Sequence, residues 1–196
     1  MASQEHSKGN RTRRRLLDAA AAELARHGRS GVSLNAIAAA AGLKTGSIYF
    51  HFDSKEQLIE AVLEQGLRAT LDYLDTALAT AGTHAAPAAR LRAAIEAHAV
   101  AVHELRDYTV VVLAPDFAAQ AWNDNTAVFH ELRHDYVERW TRLVAETQRC
   151  GALPGAVDAR LVRDLLFGAI NAVSLAGRPS SDVAGAVHAL LRLADG

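Results

Sequence analysis

A single cysteine, Cys150, stands in the 196 residues, so no disulfide can form within the chain and a reducing cytoplasm is the expected setting. Proline occurs only four times and aromatic residues make up 6%, while half of the residues are hydrophobic, alanine above all. That profile points to an all-α protein. No apolar run is long enough to span a membrane, and no hydrophobic leader is expected at the N-terminus. Net charge is scarce too: the formal value of −1 excludes a chain that is basic as a whole. The charge is nonetheless uneven. Residues 1–55 hold nine Lys and Arg against four Asp and Glu, and the rest of the chain holds twelve against eighteen. Only the front of the molecule is therefore expected to face phosphate. A chain of this length suits one compact unit, or two small ones sharing a core.

The stretch SLNAIAAAAGLKTGSIYFHFDSKEQL, Ser33 to Leu58, is the densest in signals. Ser33 is a good N-cap, and Leu34, Ile37, Ala38 and Ala41 recur at helical spacing, giving a short helix with one apolar face. Gly42 supplies the positive φ that a sharp stop and turn wants. A second short segment starts at Lys44 or Thr45, with Ile48 pointing inward and Phe52 closing it. Its other face carries Lys44, Thr45, Gly46, Ser47, Tyr49 and His51. Hydroxyls and a phenol reach phosphates or base edges, Lys adds charge, and Gly46 lets the backbone approach closely; the mixture suits a helix in a DNA groove. The pattern is a helix-turn-helix whose second helix reads. Upstream, a polar tail over about residues 1–10 precedes Arg11, Arg13, Arg14 and Arg15, which open the first helix. Arginines at a helix N-terminus oppose the macrodipole, so contact with phosphate is their expected use. That helix buries Leu17, Ala20, Ala21 and Leu24 and ends at Gly28.

The run AGLKTGSIYFHFDSKEQL resembles the signature of TetR-family transcriptional regulators, in which a Gly, a hydroxyl residue, a Tyr, a Phe and a Ser-Lys-Glu follow in this order. The likeness is dense from Arg15 to Val62 and continues afterwards in helical pattern and length alone. Asn35 and Ala36 depart from it, standing where many members carry a basic and an acidic residue, which leaves the operator sequence open. The resemblance implies an all-α fold with an N-terminal three-helix helix-turn-helix DNA-binding domain, residues 1–53. A larger helical effector-binding and dimerisation domain would follow, residues 54–196. It implies double-stranded operator DNA as a partner and a backbone-phosphate contact from Lys55. Ser33, Thr45, Tyr49, Lys55 and the four arginines are then the expected phosphate anchors. Lys44, Gly46, Ser47 and His51 are the expected groove readers.

Further on, Ser54 and Gln57 fit a capping box. The apolar series Leu58, Val62, Leu67, Leu71, Leu74 and Leu78 predicts a helix of roughly 40 Å, with Gly66 as a candidate bend. Pro87 restarts the chain into a helix bearing Leu91, Ile95, His98, Ala99 and Val102. A shorter segment, Tyr108 to Ala114, follows, and residues 116–125 read as a helix or an irregular lid. Phe129, Leu132, Tyr136, Trp140, Leu143 and Val144 make the aromatic face of a long helix. The last two helices are rich in small residues, among them Gly168, Ala169, Ala172, Ala176, Ala184 and Gly185. Small residues let helix axes approach, so two copies of this pair are expected to build a four-helix homodimer interface.

Candidate effector contacts are His98, Tyr108, Trp122, Phe129, Tyr136, Trp140, Phe167 and Asn171, a largely apolar set with a few orienting polar groups. Burying His98 or Asn171 without a partner would cost about 1–3 kcal/mol, which singles these two out. The expected effector is small and largely apolar, and the middle of the chain resembles TetR-type regulators that sense acyl-CoA thioesters. No nucleophile elbow, phosphate loop or dinucleotide fingerprint is present, so no enzyme and no cofactor are expected. His130 and His134 have a helical spacing that can hold a metal but lack a third ligand, and Cys150 has no nearby His to activate it. The alternatives to a ligand-responsive repressor are a sequence-nonspecific architectural DNA binder and a metal-dependent helical protein.

Overall fold

The computed structural model describes residues 2–114 and 127–193. Among them there is no strand; the elements are α1 (Ala2–Gly31), α2 (Leu34–Ala40), a 3-10 helix (Thr45–Phe50), α3 (Lys55–Ala81), α4 (Pro87–Glu104), α5 (Arg106–Leu113), α6 (Ala127–Arg149), α7 (Ala159–Leu175) and α8 (Ser180–Leu193). No helix is long and apolar enough to cross a membrane. Packing divides the chain into two units: residues 1–67 with 107–130, and residues 68–106 with 131–196. The first half of α3 thus packs with the N-terminal helices.

In the first unit, Leu16, Leu17, Ala20, Ala21 and Leu24 of α1 are fully buried, as are Ile37, Ala38, Ile48, Leu58 and Val62. The spacing of these residues puts them on one face of each helix, and burying one large aliphatic side chain stabilises by about 1.5–3 kcal/mol. The chain breaks helical geometry at Gly28, where φ is +67°, and closes the α2 turn at Gly42, where φ is +66°. One expectation is corrected: residues 1–10 were expected as a tail, but α1 begins at Ala2, because extending an existing helix by one residue costs far less than nucleating one. At Gly66, inside the continuous α3, a Cβ would lie 3.1 Å from Tyr108 Cβ, so the glycine lets α5 approach α3 closely.

Capping is well developed. Ser33 Oγ accepts from Ala36 N–H (3.2 Å), and Ser54 Oγ accepts from Gln57 N–H (3.0 Å) while Gln57 Oε1 reaches back to Asp53 N–H (2.6 Å). Asp158 caps α7 through Arg160 N–H at 2.7 Å. Pro87 begins α4 at a position where its missing N–H is no loss.

The second unit closes around α4, which packs on both α7 and α8 while these pack on each other. Its core joins Leu71 and Leu74 of α3, Leu91 and Ile95 of α4, Tyr136, Trp140, Leu143 and Val144 of α6, Leu166 and Ile170 of α7, and Val183 and Val187 of α8. Arg139 of α6 forms ion pairs with Asp75 of α3 and with Asp135 one turn earlier.

Tyr108 ties α5 to α1: it is 7% exposed and its Oη donates to Asp18 Oδ1 at 2.7 Å. Burial and the neighbouring carboxylate push the phenol well above its ordinary range, so it stays protonated and keeps donating. Tyr108→Phe leaves the packing intact and removes that bond. Because Asp18 is half exposed and water can replace the phenol, the expected loss is about 1 kcal/mol in a denaturant titration; no change would mean that the bond contributes nothing net.

Candidate nucleic-acid interface and buried polar cluster

Between α2 and α3 the chain has only a six-residue 3-10 helix, entered from extended backbone at Lys44 (φ −71°, ψ 143°). Ile48 is its inward anchor at 0% exposure, and Phe52, 2% exposed, closes the segment behind it. Lys44, Thr45 and Gly46 are exposed, Ser47 and His51 half-buried. Tyr49 is 55% exposed and Phe50 89%. With about three residues per turn, fixing Ile48 inward turns Tyr49 and Phe50 out on either side. Phe50 was not among the expected contacts. The signal was available: in α-helical geometry too, a residue two positions after the inward one lies about 200° round the axis, opposite the core.

The arginines are more occupied than their sequence suggests. Arg13 stacks over the Phe52 ring, 5.3 Å from its centroid. Arg14 pairs with Asp18 at 3.1 Å. Arg15 Nη2 donates to Ala41 O at 2.6 Å, holding the end of α2, and Arg11 is exposed. None of the four sits at a helix N-terminus, since α1 starts at Ala2, so the macrodipole argument for their phosphate role does not apply. Each guanidinium has five N–H groups, and one or two internal bonds leave others to face outward. Lys55 is half-buried, and its Nζ donates to the carbonyls of Arg29 and Val32, where α1 ends and the chain turns toward α2. One of its three N–H groups remains. Ser33, an expected phosphate anchor, is exposed and serves as the α2 cap.

Five of the expected effector contacts converge inside the second unit. The His98 ring centroid lies 5.6 Å from Trp140, 5.1 Å from Phe167 and 6.0 Å from Tyr136, and Tyr136 and Phe167 stack at 5.7 Å. Tyr136 Oη and His98 Nδ1 are 2.8 Å apart. Burial presses the imidazole down to about 4, with the Asn171 side chain beside it opposing part of the shift. The same burial pushes the Tyr136 phenol up, so both groups are neutral near pH 7. His98 Nε2, Trp140 Nε1, Asn171 Oδ1 and, one turn beyond, Ser174 Oγ are buried without a hydrogen bond of full geometry, although the Asn171 side chain interacts with His98 and the Trp140 indole with Tyr136. Tyr108 and Phe129 belong to the other unit, where both are buried, and Trp122 lies outside the described residues. No three metal-ligating side chains come together among the described residues, His130 and His134 included.

A short helix turned outward after a tight turn, in an all-α chain, is the arrangement of a helix-turn-helix. Residues 16–62 match the bacterial regulatory proteins of the tetR family, and residues 84–175 match the tetracyclin repressor-like C-terminal domain. The chain belongs to the TetR family of transcriptional regulators. Over 170 residues it is 27% identical to the HTH-type transcriptional repressor KstR2 of Rhodococcus jostii (strain RHA1), covering 83% of this chain and 79% of that one. Its fold is similar to the ketosteroid transcriptional regulator KstR2 of Mycobacterium tuberculosis, with a TM-score of 0.75, 24% identity and coverage of 91% and 92%. It is similar as well to AibR in complex with isovaleryl coenzyme A and operator DNA, with a TM-score of 0.75, 21% identity and coverage of 90% and 95%.

Two outcomes are expected. Lys55→Ala should lower fold stability by about 1–2 kcal/mol by releasing two carbonyls, measured by thermal denaturation without DNA; an unchanged midpoint would leave Lys55 to phosphate alone. The unfolded His98 imidazole takes up a proton near pH 6.5 and the folded one only near 4. The stabilising contribution of its neutral form is therefore complete above pH 6.5 and lost as pH falls toward 4, by roughly 3 kcal/mol. Chemical denaturation across that range should show a flatter profile in His98→Gln than in the parent, and parallel profiles would refute the assignment.

Proposed function

We propose that this chain is a dimeric transcriptional repressor that leaves a pseudo-palindromic operator when a small, largely apolar effector occupies the His98 cluster. The observation that carries the DNA half is the 3-10 helix, with Ile48 buried and Tyr49 and Phe50 turned outward. Arg11, Arg13, Arg14, Arg15, Ser33, Thr45, Tyr49 and the remaining N–H of Lys55 hold phosphates, while Lys44, Gly46, Ser47 and His51 face base edges. Phe50 adds an apolar contact of the kind a thymine methyl accepts.

The effector half rests on the buried polar and aromatic cluster of the second unit and gains support from AibR, whose solved complex holds isovaleryl coenzyme A and operator DNA. The dimer half rests on an exposed apolar stripe. Leu161, Leu165 and Val173 of α7 are 53%, 64% and 41% exposed. Exposed Gly168, Ala169 and Ala172 lie between them, and Gly185, Ala186 and Ala189 of α8 are exposed too. A monomer gains nothing from such a face, whereas two copies of it let helix axes approach closely. A two-fold dimer presents two reading helices to successive major grooves. An effector that favours one separation of these heads by about 1–3 kcal/mol releases the operator by about 5–150-fold.

Selection of bound duplexes from a random pool should return a pseudo-palindrome. On that duplex, Tyr49→Phe and Phe50→Ala should each weaken binding by about 5–10-fold at fixed salt in fluorescence anisotropy. Recovery of no preferred sequence, with affinity set by salt alone, would favour a nonspecific DNA binder.

A further inference from the structure

The second unit carries an open groove that no residue of the His98 cluster lines. It runs between α3 and α4 and has a volume of about 580 Å³. On α3 its wall spans residues 72–81, about 14 Å of helix, and on α4 it spans residues 93–100. Ala77, Ala81, Ala93 and Ala97 line it, and their short side chains leave space beside two helices that share a core through Leu74 and Ile95. We infer that this groove is a second ligand site and that it takes a lipophilic cation, an ammonium head on an alkyl chain of medium length.

Charge decides the class. Asp72 and Glu96 both line the groove and are exposed, and among the described residues no Lys, Arg or His lines it. Neither carboxylate is firmly held. Asp72 forms no ion pair among the described residues, and Glu96 Oε1 stands 4.0 Å from His188 Nδ1, beyond hydrogen-bond length. Nearby cations act elsewhere. Arg92, one turn before Glu96, lines a separate cavity with α6 and α8, Arg68 does not line the groove, and Arg139 pairs with Asp75 and Asp135. Tyr73, half-buried on the α3 wall, adds an aromatic ring, whose face attracts cations, quaternary ammonium among them. An anionic ligand meets two carboxylates and no counter-charge, so the phosphates of a coenzyme A thioester do not belong here. A neutral apolar molecule uses the alanines and leaves both charges without a role. The volume is that of a small-molecule site, and the smooth alanine wall suits an unbranched chain better than the large anchoring side chains of a protein partner.

Isothermal titration of the full-length protein with octyltrimethylammonium at low ionic strength should give saturable binding. Octanesulfonate, the same chain with the opposite charge, should bind at least about 10-fold more weakly. Asp72→Asn and Glu96→Gln should each weaken the cation by about 2–5-fold, as exposed charges do, and leave octanesulfonate no weaker. Ala77→Leu, which keeps a good helix former, fills the groove and should abolish cation binding. Its melting temperature shows whether the fold is kept, and Ala93→Leu takes its place should it melt early. Equal binding of the two probes overturns the inference, and so does full-strength cation binding in the filled variant, which places the cation elsewhere in the molecule. Absence of saturable cation binding to folded protein also overturns it and leaves the groove to water. A changed oligomeric state of Ala77→Leu in sedimentation assigns the groove to a second copy of the chain. Binding of a basic amphipathic peptide in place of octyltrimethylammonium assigns it to a protein partner, and either result ends the small-ligand reading. None of these variants alters the His98 cluster, so failure here leaves the proposed effector site as it stands.

Discussion

The reading surface depends on the burial of one side chain, Ile48. A six-residue 3-10 helix has poor hydrogen-bond geometry and cannot persist in water by itself. Here it is clamped at both ends: Gly42 turns the chain sharply before it, and Phe52, with Arg13 stacked on its ring, seals the exit. Between these, Ile48 fixes the rotation of the segment about its own axis. Tyr49 and Phe50 are outward because Ile48 is inward. On the proposed reading, a segment held this way is pre-organised, and DNA would not have to order it on binding.

The surrounding polar side chains serve that clamp before they serve DNA. Arg15 holds the carbonyl end of α2, Lys55 holds the end of α1, and Ser54 with Gln57 starts α3. Each bond lies between elements far apart in sequence or at a helix end whose groups would otherwise be open. Positive charge is thereby gathered around the reader as a by-product of closing the fold. On the proposed reading, a phosphate arriving at this surface would meet cations that are already oriented, which would lower the entropy lost on contact.

The fold was readable from the sequence where periodicity and punctuation agreed. Gly42, Pro87 and the Ser54–Gln57 pair fall at real boundaries, Gly28 marks a break in geometry within α1, and the apolar series from Leu58 to Leu78 is one continuous helix. What periodicity cannot carry is the partner of each polar group. Nothing in the spacing of Arg14, Arg15 or Lys55 says that Asp18, Ala41 and Arg29 are their acceptors, because those contacts form only once the helices cross. Gly66 shows the same limit: a glycine within a helix signals a bend or a close neighbour equally, and the neighbour, Tyr108, appears only once α5 packs. The polar cluster was half legible. His98, Tyr136, Trp140, Phe167 and Asn171 stood out as polar or aromatic residues on apolar faces, but Tyr108 and Phe129 share that pattern and lie in the other unit.

The two units differ in how they treat buried polarity. In the first, Lys55, Arg15 and Tyr108 each have partners and the geometry is fixed. In the second, the polar atoms of His98, Trp140 and Asn171 meet neighbouring side chains without bonds of full geometry, so part of a desolvation cost of about 1–3 kcal/mol per unsatisfied group is left unrecovered. On the proposed reading, a ligand that completes one of these bonds gains at most an amount comparable to the roughly 1–3 kcal/mol of a typical allosteric coupling. That gain drives a change only if the atoms are better satisfied in one arrangement of α4, α6 and α7 than in another, since equal satisfaction in both would shift nothing. Keeping His98 neutral is part of the same logic. With its pKa near 4, its charge does not vary around neutrality.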